Sequence, residues 1–218
     1  MAFFLLTTLL IFSWSCASWS RTQKGAAIGA GSGAVVGGLI GKAAGNTLLG
    51  AILGAAIGGA AGAYIGRYMD KQAEEMRRDL QGAKIERVGE GIKITFDSGL
   101  LFDIDKYELR ETSKINLANL ARILNKYPDT NILIEGHTDS TGPAEHNLAL
   151  SKNRGDAVAF CLGQSEVSAR RMLIKGYGAS QPIAPNDTVE GRQQNRRVDI
   201  AVMANDKLKK AAQENAKG

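Results

Sequence analysis

The sequence predicts an α+β fold in which helices lie on one face of a mixed β-sheet as a two-layer sandwich, preceded by a helical hairpin. Three observations lead to this prediction. Short runs in which apolar and polar residues alternate are typical of strands. These runs flank two longer stretches whose apolar residues recur at helical spacing, which gives the order β-α-β-α-β-β. Earlier in the chain, glycine recurs at every fourth position, a period that keeps it on one side of a helix.

The first element is an apolar run, FFLLTTLLIF at residues 3–12, which has the length of a signal-peptide core and is too short to span a bilayer. Cys16 follows it, with the small residues Ser13 and Ser15 three and one positions before the cysteine. This arrangement resembles a lipobox. The sequence therefore predicts a signal peptide at 1–15 and a linker at 16–24. Acyl chains such as palmitate on Cys16 would insert into membrane lipid and anchor the protein. Plain secretion with a free Cys16 and an uncleaved anchor remain alternatives.

Residues 25–66 are nearly uncharged and carry glycine at a step of four, at positions 25, 29, 33, 37, 41 and 45 and again at 50, 54, 58, 62 and 66. Each run would extend about 30 Å as a helix, which matches the hydrocarbon thickness of a bilayer. A ridge of glycines lets two helices pack closely. We therefore expect a glycine-zipper hairpin, turned at 42–47, whose two helices span a membrane. A homo-oligomeric or soluble zipper and a flexible linker are the alternatives.

The remaining chain divides into a charged linker, a folded domain and a tail. Residues 67–84 are charged throughout and have apolar residues at helical spacing, which predicts a connecting helix. The domain at 85–204 opens with two alternating runs, IERV and IKITF, which suggest a hairpin. The tail at 205–218 carries four lysines and is expected to be solvated. The other predicted elements are a helix at 108–127, a strand at 131–135, a helix at 143–162, and strands at 171–176 and 196–203.

The helix predicted at 143–162 carries a charged residue on its buried face. At 100° per residue, Asn147, Leu150, Arg154 and Val158 fall within one arc about 100° wide. Burial of an unpaired guanidinium is costly, so Arg154 needs a partner. The preceding loop supplies Asp139. The two residues can form a structural salt bridge, or they can bind a zwitterionic amino acid, with Arg154 on its carboxylate and Asp139 on its ammonium.

Two separated motifs in the domain have the spacing of a known family. The first contains Gly136, His137, Thr138, Asp139, Thr141, Gly142, Asn147, Leu150, Ser151 and Arg154. The second contains Gly176, Tyr177, Gly178, Pro182, Asn186, Gly191, Arg192, Asn195, Arg196, Arg197 and Val198. Over about residues 85–204 the chain thereby resembles OmpA-like peptidoglycan-binding domains, including the peptidoglycan-associated lipoproteins. The glycine-rich stretch resembles zipper segments of some bacterial envelope lipoproteins.

The resemblance implies a ligand and the residues that hold it. In that family, the Asp of the first motif and the Arg fifteen residues later hold the diaminopimelate of the peptidoglycan stem peptide. These positions are Asp139 and Arg154 in this sequence. Thr138 and Asn147 are expected to add hydrogen bonds.

Two further residues, Asp103 and Arg196, are expected from the resemblance to border the ligand groove. The function it implies is that of a lipoprotein of the cell envelope, at the outer membrane with its C-terminal domain in the periplasm, which tethers membrane to cell wall. The alternative is an envelope scaffold or a pore-forming oligomer that binds another envelope protein.

Enzymatic and nucleic-acid-binding functions are disfavoured by the sequence. His137, Asp139 and Ser140 are too close in one loop to form a catalytic triad, and no Gly-x-Ser-x-Gly turn is present. The chain has two histidines, whose spacing matches no common zinc site, so no metal and no cofactor is expected. The formal net charge of +5 is modest and lacks the basic stripe with interleaved aromatics that is typical of nucleic-acid binding.

Overall fold

A computed structural model describes residues 47–217 of the chain. The predicted signal peptide, the linker with Cys16 and the first glycine run therefore lie outside the described residues. Within those residues the strands are β1 Ala83–Val88, β2 Gly91–Asp97, β3 Thr130–Gly136, β4 Met172–Gly176 and β5 Arg197–Ala204. The helices are α1 Thr47–Gly54, α2 Gly59–Asp79, α3 Ser98–Leu101, α4 Glu111–Lys126, α5 Ala144–Gln164, α6 Val189–Asn195 and α7 Asp206–Asn215.

The strands form one five-stranded sheet in the order β1-β2-β5-β3-β4. Strands β3 and β4 are parallel, and the other neighbouring pairs are antiparallel. The parallel pair is joined through α5, because parallel neighbours need a long crossover connection. The predicted α+β class is confirmed, as is the opening hairpin.

The main hydrophobic core lies between the sheet and a layer of helices. Ile94 on β2 and Ile134 on β3 both pair with Ile200 on β5, so the three side chains form a row on one face. All three are fully buried. Leu120 of α4 and Val158 of α5 pack against this core at helical spacing. The predicted helices at 108–127 and 143–162 are thus confirmed, with their ends moved by a few residues.

Helix α2 corrects the predicted division between linker and domain. The charged linker at 67–84 was expected to connect two parts, but most of it belongs to α2, which joins the helical layer. Its residues Ile65, Met69, Ala73 and Met76 are fully buried in the main core, because they form a stripe at steps of four and three. The domain therefore begins before residue 85.

The second glycine run is not one continuous helix, which corrects the predicted hairpin at 25–66. Helix α1 ends at Gly54 and α2 begins at Gly59. Gly58 and Gly59 have φ angles of 69° and 62°, a left-handed conformation that glycine adopts without a Cβ clash. The Glu90 carboxylate accepts hydrogen bonds from the amides of Ile57 and Gly58, at 3.0 and 2.7 Å, and so satisfies donors at the start of α2. The adjacent β1–β2 turn thereby fixes the break.

The transmembrane prediction also fails for the described part of the zipper. None of the helices within residues 47–217 combines the length and the apolar run that a bilayer crossing requires.

Helices α7 and α1 pack against surfaces that the sequence did not predict for them. The tail at 205–218, expected to be solvated, forms α7 and buries Leu208 and Ala212 in the main core. Helix α1 packs on the opposite face of the sheet, where Leu48 and Ile52 contact Leu133 and other apolar side chains. The predicted layer of helices α4 and α5 on one face holds, and α1, which comes from the glycine-rich stretch, adds a helix to the other face. The sequence pattern could not show this, since a short apolar helix can cover either face.

Candidate functional site

The predicted site lies where β3 ends and α5 crosses it closely. A Cβ atom on Gly136 would lie 1.9 Å from the Ser151 carbonyl oxygen, so only glycine allows the strand and the helix to approach this far. Gly178, after β4, is tied to the same point because its amide donates a 2.8 Å hydrogen bond to Ser151 Oγ. The glycines of the two sequence motifs thus bring β3, α5 and β4 together beside the loop at 137–143.

The loop is held in place by backbone hydrogen bonds to β5 and to the segment just after β4. The amide of His137 donates to the Arg197 carbonyl, and the amide of Thr138 donates to the Gly178 carbonyl, both at 3.0 Å. The Thr138 hydroxyl is buried and has no hydrogen-bond partner among the described residues. A buried hydroxyl without a partner is unfavourable, so Thr138 Oγ1 is a donor and acceptor that the protein itself leaves unused.

Asp139 is almost buried and is already paired, although not with the predicted residue. Its Oδ2 accepts a 2.5 Å hydrogen bond from Arg196 Nη1, and its Oδ1 accepts one of 2.8 Å from the Thr141 amide. Burial alone would raise the pKa of Asp139, but these hydrogen bonds outweigh it and hold the pKa below its usual value. The carboxylate is therefore ionised at neutral pH, and it is largely covered by Arg196, whose own side chain is 39% exposed.

Arg154 lies on the buried face of α5, as the helical spacing predicts, and is 4% exposed. Its Nε donates a 2.9 Å hydrogen bond to the Lys106 carbonyl, and its guanidinium lies 5.2 Å from the centre of the Phe102 ring. Within residues 47–217 that is the only hydrogen bond of the guanidinium, so its terminal nitrogens remain free to bind an anion. Burial lowers the pKa of Arg154, and nearby Asp105 and Asp139 oppose that effect.

Asp139 and Arg154 are thus close enough to interact electrostatically, but they are not hydrogen-bonded to each other. Asn147 braces the loop beneath them, since its Nδ2 donates to the carbonyls of Thr141 and Asp139 at 2.9 and 3.4 Å. The side-chain amide of Asn147 is therefore used by the protein itself. Asn147 shapes the site by holding the loop.

Asp103 is placed differently from the other predicted residues. Its carboxylate is exposed and accepts hydrogen bonds from Arg110 Nε and Nη2, at 3.0 and 2.7 Å. None of its contacts in the described chain reaches Asp139, Arg154 or Arg196.

The acid that interacts with Arg154 from this segment is Asp105, which sequence reasoning missed. Its Oδ1 lies 2.6 Å from His146 Nε2, at the start of α5. Asp105 has a φ of 56°, so the backbone is not extended at this residue and the alternation of side chains expected from Phe102 onwards does not apply to it. The only signal in the sequence was a second aspartate two residues after Asp103.

Comparison with known proteins places these features in a family. The model of the OmpA family matches residues 101–196, and that of the YMGG-like Gly-zipper matches residues 1–70. The chain is 38% identical to the "probable lipoprotein YiaD" of Escherichia coli, over 56% of this chain and 55% of YiaD. It thus spans about half the length of that relative.

Two other similarities cover more of the matched protein. The outer-membrane lipoprotein YfiB of Pseudomonas aeruginosa is 34% identical over 57% of this chain and 74% of YfiB. The structure of the cell wall anchor of the T6SS from Pseudomonas aeruginosa aligns with a TM-score of 0.55 and 28% identity, over 62% of this chain and 96% of that chain. The close helix crossing, the acid-bearing loop and the buried arginine therefore occur in a chain that belongs to the OmpA family.

Proposed function

We propose that this chain is a cell-envelope protein that binds peptidoglycan non-covalently, through the diaminopimelate of the stem peptide, and tethers a membrane to the cell wall. The observation that carries the proposal is the buried Arg154, whose terminal guanidinium nitrogens have no hydrogen-bond partner within residues 47–217. They lie near an ionised Asp139. A cation and an anion that face one space fit an amino acid with a free ammonium and a free carboxylate.

Each group has a defined role in this proposal. Arg154 binds the ligand carboxylate with its two terminal nitrogens, and Thr138 Oγ1 adds a hydrogen bond. Asp139 binds the ligand ammonium in place of Arg196, whose half-exposed side chain then turns towards the ligand carboxylate. Asp105 is the second acid near Arg154. The pairing of Asp139 with Arg196 keeps the carboxylate ionised and oriented before the ligand arrives.

Binding at one site of this kind is weak, because each charge-assisted contact contributes about 1.5–3 kcal/mol. A polymeric wall offers many copies of the ligand, and a membrane-held protein samples them at high effective concentration. The relative YfiB, named an outer-membrane lipoprotein, agrees with an outer-membrane location and a periplasmic domain. Lipidation of Cys16 remains a prediction, and mass spectrometry of the mature amino terminus tests it.

Co-sedimentation with purified, protein-free sacculi tests the binding function. We expect Asp139→Ala and Arg154→Ala to abolish sedimentation, and Arg154→Lys to weaken it, because lysine keeps the charge but loses the forked geometry. Asp156→Ala is the matched control, since the Asp156 side chain on α5 is 45% exposed and its one ion pair within residues 47–217 is with Lys152. Thermal unfolding shows that each variant is folded. Full binding by the Asp139→Ala, Arg154→Ala double variant would contradict the site.

Competition identifies the ligand group more closely. Free meso-diaminopimelate should release the bound protein, whereas pimelate lacks the ammonium groups and cadaverine lacks the carboxylates. Equal competition by all three compounds would contradict recognition of a zwitterion. Protein-free sacculi also separate this function from the alternative scaffold, which requires a second envelope protein. The function is binding rather than catalysis, so no turnover of muropeptides is expected.

A further inference from the structure

Helix α1 belongs to the glycine-rich stretch by sequence, yet it is seated on the folded domain. Leu48 and Ile52 are 0% and 1% exposed on the second face of the sheet, where they contact Leu133 and Ala201. Ile52 also packs over Gly91, so closely that a Cβ there would lie 2.6 Å from its Cγ2. The contact is therefore specific in shape, and α1 occupies a surface that fits a short apolar helix.

The first residue of α1 makes polar contacts with β3 and with the loop after β4. Thr47 Oγ1 lies 2.9 Å from Glu135 Oε1 and 2.9 Å from the Tyr177 hydroxyl. Gln181 Nε2 is within 3.3 Å of the same oxygen. Thr47 thus joins the end of β3 to the loop that follows β4.

Tyr177 connects this contact to the ligand loop. Its ring stacks on His137 at 5.5 Å between centroids, and its amide donates a 3.0 Å hydrogen bond to the Gly136 carbonyl. The next residue, Gly178, accepts the hydrogen bond from the Thr138 amide. Asp139 follows Thr138 directly, so a chain of direct contacts runs from Thr47 to the acid of the proposed site.

The seated conformation leaves part of the glycine pattern without a use. A Cβ on Gly54 or on Gly66 would meet no atom within 4 Å, so neither position needs glycine for packing on the domain. A turn held by Glu90 separates α1 from α2, so α1 is not kept on the sheet by being continuous with α2. Gly54 continues the period of four although the docked α1 does not require it, which fits a second arrangement in which α1 leaves the sheet and packs elsewhere.

We propose that α1 is a strap that docks reversibly on the second face of the sheet, and that its docking positions the ligand loop through Thr47, Tyr177 and Gly178. This proposal rests on the proposed function, because the coupled event is binding to the wall. By thermodynamic reciprocity, a bound wall ligand holds α1 on the sheet, and release of α1 weakens the grip on the wall.

The experiment uses the full chain in detergent micelles and measures two quantities, hydrogen exchange of backbone amides and co-sedimentation with sacculi. Leu48→Ala combined with Ile52→Ala releases α1 without touching the main core, and Tyr177→Phe keeps the ring on His137 but removes the hydroxyl. Both variants should speed exchange of the Thr138 amide and weaken sacculus binding by about fivefold or more. Added sacculi should slow exchange in α1 of the wild type.

Matched controls separate this coupling from general destabilisation. Tyr64→Phe is the control for Tyr177→Phe, because it removes a tyrosine hydroxyl from α2 that makes no hydrogen bond within the described chain. Thr112→Val is the control for Thr47→Val, because Thr112 is exposed on α4. The controls should behave as wild type. Faster exchange in α1 with unchanged exchange at Thr138 would overturn the proposal. Failure of the wild type to bind sacculi would refute the proposed function instead. The coupling would still be decided by whether the variants change exchange of the Thr138 amide in the free protein.

Discussion

On the face of the sheet that meets α4 and α5, the row Ile94, Ile134 and Ile200 is buried among apolar side chains. On the opposite face, the same strands carry a set of buried polar side chains around Glu135 and Asp199. We call Lys93, Thr95, Glu135, His137, Arg197 and Asp199 the polar cluster. Its members are joined by an Arg197–Asp199 pair at 2.8 Å and a hydrogen bond of 2.6 Å from Thr95 Oγ1 to Asp199 Oδ1.

The comparison shows that burial and polarity are separate properties of a strand. Alternation tells which residues share a face, but it does not tell whether the polar face is solvated. Glu135 and Asp199 are each 1% exposed. Such groups are stable when their charges are paired, and the cluster pairs most of them. The exceptions are Glu135 Oε2 and both ring nitrogens of His137, which have no hydrogen-bond partner among the described residues.

The largest effect on stability is expected at Gly136, the last residue of β3, where α5 crosses the strand. Gly136→Ala would put a methyl group into the Ser151 carbonyl, which is backbone and cannot rotate away. We expect a loss of more than about 3 kcal/mol in the free energy of unfolding, and loss of sacculus binding, because α5 is pushed off β3. Gly163→Ala is the control, since a Cβ there meets nothing within 4 Å. Urea unfolding measures both variants, and equal stability would contradict the close crossing.

The polar cluster should make stability depend on pH through His137. Burial and the charge of Arg197 lower the pKa of His137 to about 3, from an ordinary value of 6.5. Below pH 6.5 the unfolded chain therefore binds a proton that the folded chain does not. The contribution of His137 to stability is complete above pH 6.5 and falls between pH 6.5 and 3, by up to about 1.4 kcal/mol per pH unit.

His137→Phe tests this prediction, because phenylalanine preserves a ring against Tyr177 and does not titrate. Burial also raises the pKa of Glu135, which gives the opposite slope, so the difference between the wild type and the variant is the informative quantity. Urea unfolding at a series of pH values should show a shallower loss of stability on acidification for the variant. Parallel curves for the two proteins would be inconsistent with a buried neutral histidine.

The helical layer contains a buried amide side chain without hydrogen-bond partners, and the smallest effect is expected there. Gln72 of α2 is fully buried, and neither its Nε2 nor its Oε1 has a hydrogen-bond partner among the described residues. Gln72→Leu should raise the free energy of unfolding by about 1–2 kcal/mol, because it removes an unsatisfied amide at similar volume. Gln213→Leu on the exposed side of α7 should change stability by less than about 0.5 kcal/mol. Destabilisation by Gln72→Leu would mean that the amide has a partner in solution.

Much of the candidate site could be predicted, because its information is local. Helical spacing placed Arg154 on the buried side of α5, and the loop motif placed Asp139 just before it. Their partners could not be predicted, since Arg196 and Lys106 are 57 and 48 residues away in sequence from the groups they bind. Asp105 was missed for a related reason, because its left-handed backbone conformation leaves no pattern in the sequence.

The sequence by itself determined the five strands, the helices α4 and α5 between them, the face of α5 that is buried and the pair of charges beside it, because periodicity and spacing act over a few residues. Only the tertiary structure decided that α2 and α7 complete the helical layer, that α1 covers the second face, and that Asp139 pairs with Arg196. These outcomes depend on which surfaces meet across the chain. A short apolar helix such as α1 gains similar burial energy on any apolar surface that fits it, so its position is set by the shape and hydrogen bonds of a distant partner.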